Sequence, residues 1–265
     1  MHRRSFIGAI GVAASTIVST RLLSGESGGP HIVSLSFDDG FKKSFLRIAE
    51  IYEKFSLSAC FNIIASAHMP GNEVRDDYMK QELFGDFTVW NELQDRGHEI
   101  MPHGYRHAHL ASMPVDEAKD LILKCLDIFS RELRGFTPKK AVFNFPYNQS
   151  SPALEEWLPS VVMAYRTTGG EINPVPGPTT VKITTGGWGP GSAEKDVDAC
   201  VEKLLALPSG WMVYNLHGLD EEGWGPISPG YLEKLLGRLR EIESVRILPT
   251  ARALIQAKAG SFSGN

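Results

Sequence analysis

Cysteine is scarce: Cys60, Cys125 and Cys200 are an odd number at wide spacing, which excludes a disulfide framework or a cysteine-rich metal motif. Each is expected to pack as a small apolar residue. Basic charge in excess is missing too. Lys and Arg number 27 against 31 Asp and Glu, a net charge of −4, so there is no positive field to hold nucleic acid or an anionic membrane surface. No apolar run reaches the roughly 20 residues of a spanning helix. With 42% hydrophobic and 22% charged residues, 26 Gly and 16 Pro in 265 residues, collagen-like and disordered readings are also excluded. What is left is a globular chain long enough for one large α/β domain with an ample core.

The N-terminus reads as an address. Arg3-Arg4 precede Phe6–Ala14, a short apolar run of small residues without acids, the pattern of a secretory signal. Its Arg-Arg-Ser-Phe-Ile start resembles a twin-arginine export signal. Ser24–Pro30 (SGESGGP) suits a flexible exit from such a signal better than a turn between packed elements, which disfavours a buried first helix. Residues 1–29 are therefore expected to be an export signal with a short linker, residues 30–260 one folded domain, and residues 261–265 a disordered tail. The mature protein is expected in the periplasm or outside the cell, without stable membrane insertion.

Strand and helix signals alternate after residue 30. Strand-like runs fall at Ile32–Phe37, Leu57–Ile64, His98–Met101, Ala141–Phe145, Val161–Tyr165, Val181–Thr185, Trp211–Leu216 and Val245–Leu248. Helical periodicity marks Phe41–Phe55, Asp86–Arg96, Pro114–Leu133, Ala193–Leu207, Pro229–Glu241 and Thr250–Ala259. Repeated strand-helix units with buried apolar strands predict a parallel sheet in a single α/β domain, closed as a barrel.

In such folds, polar residues at the C-terminal ends of the strands converge on one rim. Four of these ends are polar here: Asp38-Asp39-Gly40, His103-Gly104-Tyr105-Arg106-His107, Asn144-Phe145-Pro146-Tyr147 and Asn215-Leu216-His217. Taken alone, each has an ordinary structural reading: paired aspartates cap helices, a His four residues from another His is common, and a lone His is often a buried hydrogen-bonding group. Their convergence is what points to chemistry. One carboxylate with two imidazoles supplies three ligands to a divalent metal and leaves a position open, as catalytic zinc sites do. A second Asp and a further His then remain for general base and general acid.

These residues also resemble a known family. Ser36-Phe37-Asp38-Asp39-Gly40 is similar to the Thr-Phe-Asp-Asp-Gly signature of NodB-type polysaccharide deacetylases, carbohydrate esterase family four. Gly97–Ile100 with His103, His107 and Leu110 resembles the second motif, Phe145-Pro146-Tyr147 the third and Leu216-His217 the last, in the family's order over roughly residues 31 to 250. The resemblance implies an irregular parallel (β/α) barrel of about seven strands, with residues 30–260 as its catalytic domain. It implies Asp38 as base, His217 as acid, Asp39, His103 and His107 as ligands of a divalent metal, usually zinc with cobalt or nickel possible, and the Tyr147 N–H as oxyanion donor. The implied reaction removes acetyl groups from a polysaccharide or oligosaccharide, an N-acetylated amino sugar ahead of an O-acetylated one.

Three departures accompany the resemblance. Asn144 stands where the family carries an Arg that orients the base, so Asp38 is expected to be tuned in another way. No Asp-x-x-Asp-Trp-like motif is evident, which leaves Trp188 in Thr180–Pro190 as the candidate for the acetyl pocket. Gly104 replaces a usual Ser or Thr, with loss of a contact behind the metal ligand expected. Asn144, Trp188, Trp224 and Asp220 are the candidate substrate-binding residues, the last two in a loop, Gly218–Ser228, suited to holding a sugar ring. His98 and His109 are assigned to packing or to support of the ligands. Two other readings are a carbohydrate-binding barrel with weakened turnover, motivated by Asn144, and a hydrolase of another non-peptide C–N bond.

Overall fold

The computed structural model describes residues 29–71, 79–187 and 189–262. The expected export signal, except for Gly29, the end of the expected tail and Trp188 lie outside the described residues. The first half of the domain contains β1 (His31–Phe37), α1 (Lys42–Glu53), β2 (Cys60–Ile63), α2 (Phe87–Asp95), β3 (Glu99–Pro102), α3 (Val115–Glu132) and β4 (Val142–Asn144). The second half contains α4 (Pro152–Trp157), β5 (Ala164–Thr168), β6 (Ile172–Asn173), β7 (Lys182–Thr185), α5 (Ala193–Leu205) and β8 (Gly210–Leu216). It closes with α6 (Pro229–Arg240), β9 (Val245–Ile247) and α7 (Thr250–Lys258).

Every residue of β1 and β8 is buried, as expected of parallel strands covered on both faces. They pair in parallel over their full length, from His31 opposite Gly210 to Phe37 opposite Leu216. On the other side of β1, β2 takes the end of the strand and β9 its beginning. The order β3-β2-β1-β8 and the separate sheet β4-β5-β7 are joined at both edges. A parallel bridge between Gly186 and Tyr214 ties β7 to β8. The Val142 N–H lies 3.4 Å from Met101 Sδ, and Asn144 Nδ2 donates to Pro102 O at 3.4 Å, tying β4 to β3. Seven parallel strands thus form an irregular barrel, with β6 antiparallel to β8 outside that ring.

Amphipathic helices cover the barrel because their apolar residues recur on one face. Phe45, Ile48, Ala49 and Tyr52 of α1 are buried, as are Ala118, Leu121, Ile122, Cys125, Leu126 and Phe129 of α3. Asp86 starts α2 by accepting the N–H groups of Thr88 and Val89 at 3.0 and 3.2 Å. All three cysteines are buried and free, as expected from their spacing. No helix among the described residues is long and apolar enough to cross a membrane.

Several elements differ from expectation: β6 matches no predicted strand, and β2 begins at Cys60, three residues after the predicted Leu57. The short helix α4 fills a stretch without a helical apolar pattern, and β5 begins at Ala164, later than the predicted Val161. The end of β5, Arg166-Thr167-Thr168, is polar, and Arg166 and Thr167 are buried. A criterion based on apolar residues stops short of it. This displaced strand positions a central residue of the site.

Candidate active site at the barrel rim

Parallel strands all end on one side, so the polar ends of β1, β3, β4 and β8 meet there. Asp38 still belongs to the β1–β8 ladder, its N–H donating to Leu216 O at 2.8 Å, whereas Asp39 leaves the strand at φ 81°. His103 follows β3 with its N–H on Ile63 O at 2.8 Å. The chain from His103 to His107 is fastened to the loop after β2, since Ala65 N–H donates to Gly104 O and Ser66 N–H to Tyr105 O, both at 3.0 Å. His107 and Tyr147 also take left-handed backbone angles, φ 51° and 56°. For non-glycine residues these conformations are uncommon and concentrate where geometry is constrained by function.

Asp39, His103 and His107 come together. Ligand-type atoms of the three lie within 4.8 Å of one another, and all three side chains are buried. His103 Nε2 and His107 Nε2 lie 3.4 and 3.6 Å from Asp39 Oδ1. Neither oxygen of the fully buried Asp39 carboxylate accepts a hydrogen bond. Burial raises its pKa, but the His103 and His107 imidazoles outweigh burial and hold the group below the usual carboxylate value. An ionised buried carboxylate without donors is costly unless a cation satisfies it. The donor set, one carboxylate and two imidazoles, fits a divalent metal. His103 is also oriented for that role, because Nδ1 meets the Asn144 carbonyl oxygen at 3.0 Å and leaves Nε2 turned to the carboxylates.

Asp38 lies beside this cluster in a closed polar network. Arg166 Nη1 donates to Asp38 Oδ1 at 2.9 Å and Nη2 to Oδ2, a bidentate pair with both side chains buried. Asn62 Nδ2 donates to Oδ1 at 2.6 Å and Asn215 Nδ2 to Oδ2 at 2.7 Å. Burial pushes the Asp38 pKa up, but the Arg166 guanidinium and then the His103 imidazole pull it far below the ordinary carboxylate range. The expectation that Asp38 lacks a guanidinium is therefore corrected. Arg166 is the register partner of Asn144 across β4 and β5, so the guanidinium comes from the neighbouring strand at the same level. Sequence reasoning missed Arg166, Asn62 and the contact role of Asn215. Their common signal is a polar side chain near the C-terminal end of an otherwise buried strand.

Asn144 itself is corrected as a substrate-binding candidate. It is fully buried, and its Nδ2 is directed at Asn62 Oδ1, Pro102 O and Val142 O. Gly104 also has a structural cause different from a lost contact: at φ 80°, an added Cβ would meet Pro146 Cγ at 2.9 Å. Gly104→Ala is expected to destabilise the fold by at least ~1–2 kcal/mol, from left-handed strain with the contact added to it, measured as a lower midpoint in denaturant unfolding.

His217 follows β8, where its charge acts on both Asp39 and Asp38. Burial holds its pKa below the ordinary imidazole value, against the pull of those carboxylates. The loop after it is pinned to α1, because Glu222 accepts the N–H and hydroxyl of Ser44. Gly223 packs so closely that a Cβ there would sit 2.7 Å from His217 Cβ. Asp220 and Trp224 lie in the same loop, both exposed, Trp224 at 49%. His98 is far from this chemistry in role: Nδ1 accepts the Ala59 N–H and Nε2 faces Glu53 Oε1. His109, assigned by sequence to packing or to support of the ligands, is exposed and stacked on Tyr147, whose ring lies beside His107.

Fold and rim define an α/β barrel whose strand ends gather three residues that could hold a metal ion, together with a paired aspartate and a histidine. A family model, Polysaccharide deacetylase, matches residues 25–170, more than half of the chain, and the chain belongs to that family. His217 lies beyond the matched residues and reaches the rim through the β1–β8 pairing. No curated protein matches. Among solved structures, the chain is similar to a family 4 acetyl xylan esterase from Clostridium thermocellum in complex with a cobalt ion, at 19% identity and a TM-score of 0.55, covering 84% of this chain and 90% of that one. It is similar to a family 4 carbohydrate esterase from Streptomyces lividans in complex with acetate, at 15% identity and 0.55, covering 85% and 95%. The peptidoglycan deacetylase PdaC from Bacillus subtilis is similar at 15% identity and 0.55, covering 88% and 95%. At these identities the likeness establishes the fold.

Proposed function

We propose that this protein hydrolyses acetyl groups from a polysaccharide or oligosaccharide, with an N-acetylated amino sugar favoured over an O-acetylated one. The carrying observation is the buried Asp39 carboxylate, which lacks hydrogen-bond donors and faces two imidazole nitrogens. Asp39, His103 and His107 would hold a divalent metal, zinc favoured and cobalt or nickel compatible with the donor set. Such an ion lowers the pKa of water and polarises a carbonyl oxygen.

The remaining work falls to the chain's own groups. Asp38, held ionised and oriented by Arg166, Asn62 and Asn215, takes the proton of the water that adds to the acetyl carbon. The Tyr147 N–H supports the oxygen that becomes negative, a contribution of about 3 kcal/mol for one donor. His217 gives a proton to the departing amine or alkoxide as the C–N or C–O bond breaks, leaving acetate and a free amino or hydroxyl group. An imidazole with a depressed pKa is a good acid for that step once protonated. Asp220, Trp224 and Trp188 are proposed to meet the sugar, by hydrogen bonding and stacking.

The carbohydrate-binding alternative rested on a missing guanidinium, and Arg166 removes that motive. The proposal takes residues 1–29 as an export signal and residues 30–260 as the catalytic domain, and it places the mature protein in the periplasm or outside the cell. The test is acetate release from a panel of N-acetylated and O-acetylated glycans by the mature protein. Release from at least one glycan class is expected; no release from any, with metal bound, would refute the activity.

A further inference from the structure

Four rings run outward from the metal-binding set. The His103 and His107 centroids are 5.1 Å apart, His107 and Tyr147 are 4.4 Å apart, and Tyr147 and His109 are 3.6 Å apart at an interplanar angle of 9°. The last pair is a parallel stack at the surface, with His109 exposed. Tyr147 covers one face of the His109 ring, so the exposure falls on its edge and opposite face.

The stack is held from behind. Tyr147 sits in a turn, Pro146–Asn148, where the Asn148 N–H donates to Phe145 O at 3.0 Å. The Asn148 carbonyl accepts the Thr167 hydroxyl at 3.1 Å, and Asn148 Nδ2 donates to Asn215 Oδ1 at 3.0 Å. Thr167 neighbours Arg166 on β5, and Asn215 donates to Asp38. The turn that carries Tyr147, the ring backing His109, is therefore fixed relative to the reacting centre through a few hydrogen bonds. A rigid aromatic face offers area at low entropic cost, and the C–H face of a pyranose is its apolar complement.

We propose that His109, backed by Tyr147, is a stacking platform for the sugar ring next to the one that carries the acetyl group. This rests on the deacetylase reading for the identity of the ligand. The platform makes the protein a reader of chain length, favouring an oligosaccharide over an acetylated monosaccharide. The stack occupies the β3 and β4 side of the rim, whereas Trp224 belongs to the loop after β8, so the two flank the site from different strand ends.

The test is calorimetric binding of the N-acetylglucosamine tetramer and of acetylated xylotetraose to the full protein, with His109→Ala and His109→Phe variants beside it. His109→Ala is expected to weaken tetramer binding about tenfold, about 1.4 kcal/mol, and His109→Phe to restore it within threefold. In turnover, the loss is expected in KM rather than kcat. Unchanged tetramer affinity in His109→Ala, failure of Phe to rescue, or no binding of either tetramer by the unsubstituted protein would overturn the proposal. Because binding is read without turnover, tetramer binding without acetate release would count against the deacetylase reading and not against the platform.

Discussion

Replacing Arg166 with methionine is expected to destabilise the domain by about 3–5 kcal/mol, the cost of removing one partner from a buried ion pair. Asp38 and Arg166 are both buried and share two hydrogen bonds, so methionine leaves a carboxylate facing the Asn62 and Asn215 amides and the His103 imidazole, without its guanidinium. The sign of the pH effect follows. Asp38 has its folded pKa depressed, so its contribution to stability is present above the unfolded carboxylate value of about 3.9 and is lost as pH falls through the lower folded value. The gap between the parent and Arg166→Met should therefore narrow as the pH drops below about 4. In turnover, the acid limb of kcat/KM should move to higher pH in the variant, because burial then raises Asp38 unopposed by the guanidinium. Arg166→Lys keeps a charge but not the bidentate fork, and should fall between the two. Denaturant unfolding at several pH values, with the pH profile of kcat/KM, measures both effects; a variant as stable as the parent at neutral pH would contradict the network.

The second large effect belongs to Asp38. Asp38→Asn removes the proposed base and is expected to lower kcat/KM by about a hundredfold to ten-thousandfold. Arg166, Asn62 and Asn215 all donate toward this side chain, so an amide NH2 there meets donors and stability falls as well. The measurement must therefore be made on protein shown to be folded by circular dichroism, with metal content determined on the same sample. Asp39, His103 and His107 are untouched, so bound metal should persist while turnover collapses. Activity within tenfold of the parent would show that another group takes the proton.

Much of this was legible in the sequence because the relevant signals are local. Buried parallel strands read as apolar runs, and β1, β3 and β8 fall where Ile32–Phe37, His98–Met101 and Trp211–Leu216 predict them, within a residue. The grouping of Asp39, His103 and His107 is legible because acids and histidines at strand ends have few structural alternatives once they share a rim. Arg166 was not legible for the opposite reason. A charged residue in a buried strand contradicts the pattern that identifies strands, and only its pairing with Asp38, distant along the chain, makes it tolerable. Asn62 carries no signal inside Leu57–Ile64, and Asn144 reads as meeting substrate; their amides find partners only after β2, β3 and β4 are side by side. His109 can be read no more finely than packing or support of the ligands, because sequence spacing does not reveal that a ring from another loop lies flat against it.

The most direct test of the central claim, that Asp39, His103 and His107 hold one catalytic cation, is elemental analysis of the purified protein paired with acetate release before chelation, after it, and after zinc is returned. One divalent ion per chain, loss of release on chelation, recovery with zinc and absence of both ion and release in His103→Ala are the predicted results. Full acetate release from protein carrying no metal would contradict the account.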